Sequence, residues 1–510
     1  MRIVSQANPV RSASPWALEA PIAVFMVLVA AATRDHFFRD EFYYLACSRH
    51  MAWGYVEHPP LSVAVLWLVR HLAGESLLAL RVTAALAATA SIALTGSIAR
   101  RLGASGFGEG LAMVATLVAP GLLAIGSFYS MNVLDLFFWT LAARLFIDVL
   151  DDPTLVRWAL LGVVLGLGLE NKISVLWLGG GFVAGLMLAP SRRLLATRGP
   201  WMAGAIAAAL FAPHILWQIA HGWPTLEFIR NASQTKMQTN TPLEFIGSQV
   251  VNMGPHTLPI WLAGLLYLLF SPRAERYRPL GIAFLAVAVI LMLNRTSRSE
   301  YLAPGYPMLF AAGGVAIEHA ITRRALRVAL IFVLLAAGAL AAPFALPLLP
   351  VDRYVAYSRL IGIAPATEEK KAVGRLPQFF ADRQGWDRFV DQVAAVFDRL
   401  SPSERASAAV LVGNYGEAGA IDLLGRSRGL TAISGHNNYW LWGPSGRTGD
   451  VLIVVGRSRE RLERRFASVE DAGVIDCGDC MPYENGQTIF ICRRMKPSLA
   501  EVWPTLKHYE

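Results

Sequence analysis

The chain has 510 residues, of which 55% are hydrophobic and 16% are charged. Soluble domains carry about 25% charged residues, so this composition excludes an ordinary soluble protein and indicates a membrane protein. The net charge of +9 does not indicate nucleic-acid binding, because the arginines stand in links between apolar segments and not in tracts interleaved with aromatic residues.

Eleven apolar segments in the first 350 residues are about long enough to cross a membrane, since roughly 17–25 residues span a hydrocarbon core. The first has no small-residue cleavage site after it, so we expect a retained helix and not a signal peptide. A shorter run at 60–72 is expected to be re-entrant or interfacial. The eleven segments are residues 16–33, 76–99, 109–126, 131–150, 155–170, 173–189, 201–220, 256–271, 279–294, 301–320 and 326–349.

Acidic residues mark a second region, because 20 of the 37 Asp and Glu residues lie in the last 160 positions. We therefore predict a membrane domain over residues 1–350 and a soluble domain over residues 351–510. The glycines at 162, 166 and 168 and at 179–181 are expected to let membrane helices pack closely.

Basic residues predict the orientation of the membrane domain. If the segments alternate, four arginine-containing links lie on the side of the N-terminus, at 100–101, 191–198, 272–278 and 323–327. The positive-inside rule makes that side the cytoplasm. The soluble domain then lies outside, together with the links at 34–75, 127–131, 170–173, 221–255 and 294–300.

The outside links carry ionisable residues near the membrane, where charges are costly and often functional. Each has a structural explanation as well: Asp135 could cap a helix, and Lys172 could reach lipid headgroups. Their convergence on one face favours a single site. These residues are Asp40, Glu41, Glu57 and His58 in the first link, and then Asp135, Lys172, Arg298 and Tyr301.

The first outside link resembles that of a known family. Asp40-Glu41 before an aromatic-rich helix, followed by Gly-Tyr-Val-Glu-His-Pro-Pro-Leu at 54–61, is similar to bacterial polyprenyl-phosphate-sugar glycosyltransferases of the GT-C superfamily. These include the lipid A aminoarabinose transferases and, more distantly, the protein O-mannosyltransferases (glycosyltransferase families 39 and 83). Segments 132–138 and 297–304 resemble the family's aspartate segment and its basic-then-tyrosine segment. The resemblance covers about the first 320 residues and departs at His58, where the aminoarabinose transferases have a lysine.

The resemblance implies a polytopic α-helical GT-C-like fold of about eleven spans with a C-terminal soluble α/β domain. It places the chain in a bacterial inner membrane, with the N-terminus in the cytoplasm and the C-terminal domain in the periplasm. The implied activity is inverting transfer of a sugar from a polyprenyl-phosphate donor to a hydroxyl of an envelope lipid, glycan or protein. The alternative is a transporter or flippase of lipid-linked sugars, which forms no glycosidic bond.

In this scheme Asp40 is the expected general base, with Glu41 as a second catalytic carboxylate. Lys172 and Arg298 are expected to stabilise the leaving phosphate. The remaining residues are expected to contact substrate, and these are Glu57, His58, Asp135 and Tyr301. No cofactor is expected to be required, although the pair Glu57 and His58 leaves a divalent ion open.

In the soluble domain, residues 408–412 and 451–455 are predicted to be buried strands, and 417–424 and 457–466 helices, as in a small α/β domain. The segment 434–444, rich in aromatic and amide side chains, could bind sugar or be a packed loop. Cys477, Cys480 and Cys492 predict a structural disulfide in an oxidising compartment, with Cys492 paired to one of the other two.

Overall fold

The structure is a computed structural model that describes residues 16–32 and 36–510. Its membrane part is helical, and every predicted apolar segment corresponds to a helix or to a bent helix pair. The helices are α1 Trp16–Ala32, α2 Arg39–Arg49, α3 Leu61–Ala73, α4 Leu77–Arg101, α5 Gly106–Val118, α6 Pro120–Gly126, α7 Met131–Asp151, α8 Leu155–Asn171, α9 Val175–Leu188, α10 Arg198–Ala220, α11 Pro224–Asn231, α12 Pro242–Met253, α13 Leu258–Phe270, α14 Arg278–Leu293, α15 Tyr306–Ala320 and α16 Arg324–Ala341.

The structure has more helices than stretches that are long and apolar enough to cross a membrane. By length and composition, four helical stretches of the described chain can cross a membrane, or up to seven if each of three bent pairs forms one span. Proline starts the second piece of each bent pair; the break between α5 and α6, for example, bends the chain by 69° at Pro120. Eleven crossings therefore remain a prediction.

Small residues allow the membrane helices to approach closely. A Cβ atom at Gly313 of α15 would collide with the carbonyl oxygen of Ile260 in α13, and one at Gly264 of α13 with that of Leu309. Gly162 and Gly166 of α8 lie in the same way against α10. Helix packing is thus the role of Gly162 and Gly166, as predicted. The prediction is wrong for Gly179 and Gly180, where a Cβ atom would meet nothing within 4 Å.

The links separate into two groups at opposite ends of the helices. At the end with the basic links, Arg101 pairs with Asp148 at 3.2 Å and Arg276 pairs with Asp151 at 3.3 Å. The links that we expect outside meet at the other end, where the C-terminal domain packs on α2. The predicted convergence of the outside links on one face is therefore observed.

The C-terminal domain contains a five-stranded sheet of order β2-β1-β3-β5-β4, in which β1 is parallel to β2 and β3, and β5 is antiparallel to β3 and β4. Its strands are β1 Ala409–Val412, β2 Ala432–Ser434, β3 Val451–Val455, β4 Phe466–Val474 and β5 Thr488–Met495. Its helices are α17 Val351–Ile361, α18 Gln378–Ala381, α19 Trp386–Phe397, α20 Pro402–Ser407, α21 Tyr415–Leu424, α22 Asn438–Trp442, α23 Arg459–Glu463 and α24 Leu499–Val502.

This domain confirms the predicted α/β class and corrects two details. The helix predicted over 457–466 is reduced to α23, because Phe466 already begins β4. The disulfide joins Cys477 to Cys480, whose Cα atoms are 5.7 Å apart. Cys492 is not a partner, because it lies in the middle of β5 with its side chain buried in the sheet core.

The segment 434–444 is a packed loop that contains α22. Asn438 is buried, its Nδ2 donates to the Tyr43 hydroxyl at 2.5 Å, and its Oδ1 accepts from the backbone N–H of Val56 at 3.2 Å. Its amide therefore joins the C-terminal domain to the first outside link and is not free for a sugar.

Gly313→Ala should lower the thermal stability of the purified chain, because the new methyl group forces α15 away from α13. Overpacking of this kind costs about 1–3 kcal/mol. The matched control is Gly180→Ala in α9, where a Cβ atom meets nothing within 4 Å and helix propensity favours alanine. Equal melting temperatures for the two variants would contradict the close contact between α13 and α15.

Candidate active site

A cavity of about 620 Å³ lies where the outside links meet the C-terminal domain. Five of the predicted site residues line it: Asp40, Asp135, Lys172, Arg298 and Tyr301. One wall is apolar and is formed by residues of α6 and α12, among them Ile125 and Val251. Charged groups thus face an apolar wall within a single cavity.

Asp40 occupies the first turn of α2 and is held by the C-terminal domain. Its Oδ1 accepts a hydrogen bond from the Tyr415 hydroxyl at 2.8 Å. The Tyr415 ring lies between the rings of Tyr43, at 4.5 Å, and His436, at 4.9 Å. This stacking fixes the hydroxyl and therefore the orientation of the Asp40 carboxylate.

Local sequence explains why Tyr415 reaches this position. Asn414 caps α21, with its side chain accepting from the N–H groups of Gly416 and Glu417 at 2.9 and 3.0 Å. Tyr415 is thus the first residue of the helix, directly after the carboxyl end of β1. Open α/β sheets place ligand-binding residues at such strand ends, and this rule is the only sequence signal for Tyr415.

Lys172 stands opposite, at the end of α8. Its Nζ donates to Oδ1 of Asn132 at 2.8 Å and lies 3.5 Å from Oδ2 of Asp135. The ammonium group also lies 4.9 Å from the ring centroid of Tyr301, which is within range of a cation–π interaction. Asp135 is not the cap of α7, because the Ser130 hydroxyl has that role; it accepts from Ser174 instead.

Two further cations share one carboxylate of the C-terminal domain. Oε1 of Glu369 lies 2.5 Å from an Arg298 guanidinium nitrogen and 3.7 Å from Nζ of Lys236. Burial alone would raise the pKa of Glu369, but Lys236 and Arg298 lower it below its usual value. Lys236 and Glu369 were not predicted, since both lie in polar links without a motif.

Other acids of the cavity hold their protons more tightly. Burial raises the pKa of Asp382 to about 7, and burial together with the neighbouring Glu300 raises that of Glu368. The cavity wall therefore carries carboxyl groups that can be neutral near pH 7, whereas Glu369 is ionised.

Glu41 lies outside the cavity, so the structure does not support its predicted catalytic place. Its side chain is 0% exposed, and Oε2 pairs with Arg81 of α4 at 3.0 Å. The backbone N–H groups of Phe38 and Tyr129 donate to the same carboxylate, each at 2.8 Å. With every oxygen engaged, Glu41 fixes α2 to the membrane helices.

Glu57 and His58 also lie outside the cavity, contrary to their predicted substrate contacts. Glu57 accepts from the Tyr43 hydroxyl at 3.0 Å, and burial raises its pKa to about 8. His58 is 1% exposed, with Nδ1 3.0 Å from the Pro59 carbonyl oxygen. Burial lowers the pKa of His58 to about 4, so a neutral, enclosed imidazole replaces the lysine of the resembled family.

No group of three or more His, Cys, Asp or Glu side chains could hold a metal ion in the part of the chain that the structure describes. Glu57 and His58 thus have no third protein ligand among residues 16–32 and 36–510.

The fold is similar to that of two solved structures of ArnT. ArnT from Cupriavidus metallidurans, solved with bound undecaprenyl phosphate, superimposes with a TM-score of 0.59 at 15% identity, over 92% of this chain and 97% of ArnT. Its apo form gives 0.60 at 13% identity over the same shares. This chain has the ArnT fold. The predicted fold class, a polytopic helical membrane protein with a C-terminal α/β domain, is thereby confirmed.

Sequence comparisons agree with the ArnT fold. A family model described as dolichyl-phosphate-mannose-protein mannosyltransferase matches residues 57–217. The lipid A galacturonosyltransferase RgtD of Rhizobium johnstonii is 24% identical over 269 residues, which are 52% of this chain and 56% of RgtD. The aligned region is thus little more than half of RgtD. These matches confirm the resemblance to polyprenyl-phosphate-sugar glycosyltransferases.

Glu57→Gln should raise thermal stability, and the gain should grow between about pH 4.5 and pH 8. In this window the folded chain keeps a proton on Glu57 that the unfolded chain has lost, so rising pH destabilises the wild type. Melting temperatures of both proteins across pH 5–9 measure the effect. The control is Glu460→Gln on exposed α23; a stability difference for Glu57→Gln that is independent of pH would contradict the raised pKa.

Proposed function

We propose that this chain is an inverting glycosyltransferase that moves a sugar from a polyprenyl-phosphate donor to a hydroxyl of an envelope acceptor. The observation that carries the proposal is the single cavity in which Asp40 faces Lys172, Lys236 and Arg298 beside an apolar wall. A base, a set of cations and a lipid-compatible surface are what such a transfer requires.

Asp40 acts as the general base. Its carboxylate takes the proton of the acceptor hydroxyl as the oxygen attacks the anomeric carbon. The bond from that carbon to the phosphate oxygen breaks, and its electron pair leaves with the polyprenyl phosphate. Because one displacement occurs at the anomeric carbon, the product has inverted configuration. The Tyr415 hydroxyl keeps the base aimed at the cavity.

The three cations stabilise the charge that develops on the departing phosphate. The Glu369 carboxylate lies between Arg298 and Lys236. A carboxylate between two cations marks a place that suits a phosphate, which has the same sign of charge and accepts from the same donors. Donor binding then replaces the contacts of Glu369 with contacts to phosphate.

The apolar wall of α6 and α12 suits the polyprenyl chain. ArnT was solved with undecaprenyl phosphate, and RgtD is described as a transferase for lipid A. Both support sugar transfer over transport of lipid-linked sugars. The acceptor class is an envelope lipid, glycan or protein, since the base requires only a hydroxyl group.

We place the chain in a bacterial inner membrane with its N-terminus in the cytoplasm and the cavity facing the periplasm, on the basis of the basic links. No cofactor is required, because the donor brings its own leaving group and the protein supplies the cations. We place the boundary between the membrane domain and the C-terminal domain near residue 350, before α17, which begins at Val351.

Asp40→Asn should reduce transfer by about 10²–10⁴-fold, because an amide cannot accept the acceptor proton. Donor binding should change little, since the cations are intact. The assay follows radiolabelled sugar from a polyprenyl-phosphate donor to envelope acceptors in membranes that contain the purified chain.

Asp398→Asn, at an exposed position of the C-terminal domain, is the matched control and should transfer at the wild-type rate. Wild-type transfer should persist in excess EDTA. Undiminished transfer by Asp40→Asn would remove the base assignment, and movement of sugar lipids across liposomes without any transfer would favour a flippase.

Lys236→Met should lower transfer by about a hundredfold, in the range seen when one transition-state donor is removed. Donor affinity should also fall, because the ammonium group is proposed to contact the phosphate both in the bound donor and in the transition state. The control is Lys370→Met, next to Glu369 in the chain, whose exposed ammonium group donates to the Gln234 carbonyl oxygen. Equal rates for the two variants would exclude Lys236 from the site.

A further inference from the structure

A second cavity, of about 370 Å³, lies at the other end of α2 between the first outside link and the C-terminal domain. Three arginines line it: Arg49 at the end of α2, Arg70 on α3 and Arg426 after α21. The nine helical rises from Asp40 to Arg49 separate it from the first cavity by about 14 Å along the helix axis.

The three guanidinium groups share one carboxylate. Oε1 of Glu75 accepts from Arg49 at 3.2 Å and from Arg70 at 3.4 Å, and Oε2 accepts from Arg49 at 2.8 Å and from Arg426 at 3.1 Å. The four acceptor sites of this carboxylate are therefore filled. It neutralises one of the three positive charges.

Asp422 is the other carboxylate at the cavity, and both of its oxygens accept hydrogen bonds from the protein. Asp422 accepts from the Ala432 N–H at 3.0 Å and from the Tyr439 hydroxyl at 2.8 Å. With both acids ionised, the five charged side chains carry a formal charge of +1. Burial and Arg49 lower the pKa of His50, so the imidazole adds no charge near neutral pH. Arg49 and Arg426 also donate to the backbone carbonyl oxygen of Asp422, and Arg70 donates to that of Ser48. Each guanidinium group has five N–H donors, so these contacts leave N–H groups of all three arginines for a ligand.

The cavity also adjoins an apolar surface of α3. In the helical turn that carries Arg70, the side chains of Trp67, Leu68 and Leu72 are 40%, 51% and 78% exposed. A short apolar helix with an arginine at its inner face is typical of a segment at the membrane interface. A ligand at the arginines can therefore keep its hydrocarbon in the membrane.

We propose that this cavity binds the phosphate group of a membrane amphiphile, at a site distinct from the candidate active site. Guanidinium groups bind phosphate through paired, charge-assisted hydrogen bonds. Hydroxyl groups of Thr431 and Ser445 line the same cavity and suit the remaining polar atoms of a headgroup. The proposal does not depend on the transferase activity.

Titration of the detergent-purified full chain with phosphatidic acid, followed by native mass spectrometry, tests the site. Arg426→Ala should weaken binding about tenfold, the equivalent of one charge-assisted hydrogen bond. Arg428→Ala is the matched control, because Arg428 lies on the same turn but pairs with Asp391 at 2.7 Å. Diacylglycerol, which lacks the phosphate, should not bind.

Glu75→Gln should tighten binding, because it removes the competing carboxylate; a merely structural role of the arginine cluster predicts no gain. Competition by inorganic phosphate would show that the phosphate group alone suffices, whereas its failure to compete would assign the affinity to the whole amphiphile. Equal affinities of wild type and Arg426→Ala, or an equal loss in Arg428→Ala, would overturn the proposal.

Discussion

The buried ion pair between Glu41 and Arg81 determines where α2 lies, and the candidate active site depends on that helix. Both side chains are almost fully enclosed, so removing either partner would leave a buried charge at a cost of about 3–5 kcal/mol. The Glu41 carboxylate also accepts the N–H groups of Phe38 and Tyr129. Because Asp40 precedes Glu41 on the same helical turn, this anchor directs one carboxylate into the protein and its neighbour into the cavity.

The C-terminal domain completes the site and does more than cover it. Tyr415 orients Asp40, and Glu369 lies between Arg298 and Lys236. Asn438 adds a buried contact to Tyr43, and Gly419 of α21 allows the backbone of α2 at Phe42 to approach closely. The proposed base, Asp40, therefore belongs to the first outside link. Tyr415, which holds it, and Glu369, at the proposed phosphate position, belong to a domain more than 300 residues later.

Sequence reasoning predicted the helices, the α/β class and five cavity residues, because hydropathy and the cost of charges near a membrane are local properties. It misplaced Glu41, Glu57 and His58, since adjacent residues of a charged motif point to different sides of a helix or turn. Lys236 and Glu369 were not predicted, because their place in the site depends on a contact between two segments that are distant in sequence. The predicted disulfide of Cys492 is wrong because Cys492 lies within a strand. The alternation of side chains along that strand directs its thiol into the sheet core, and the spacing between cysteines does not reveal this.

The proposed reaction is a single displacement at the anomeric carbon by a hydroxyl that Asp40 deprotonates. The most direct test compares, by NMR, the anomeric configuration of the transferred sugar with that of the polyprenyl-phosphate donor. We predict inversion. In the proposed reaction Asp40 acts as the base on one side of the sugar, and the cations hold the leaving phosphate on the other side. Retention of configuration would require a covalent or doubly displaced intermediate and would contradict the proposed role of Asp40.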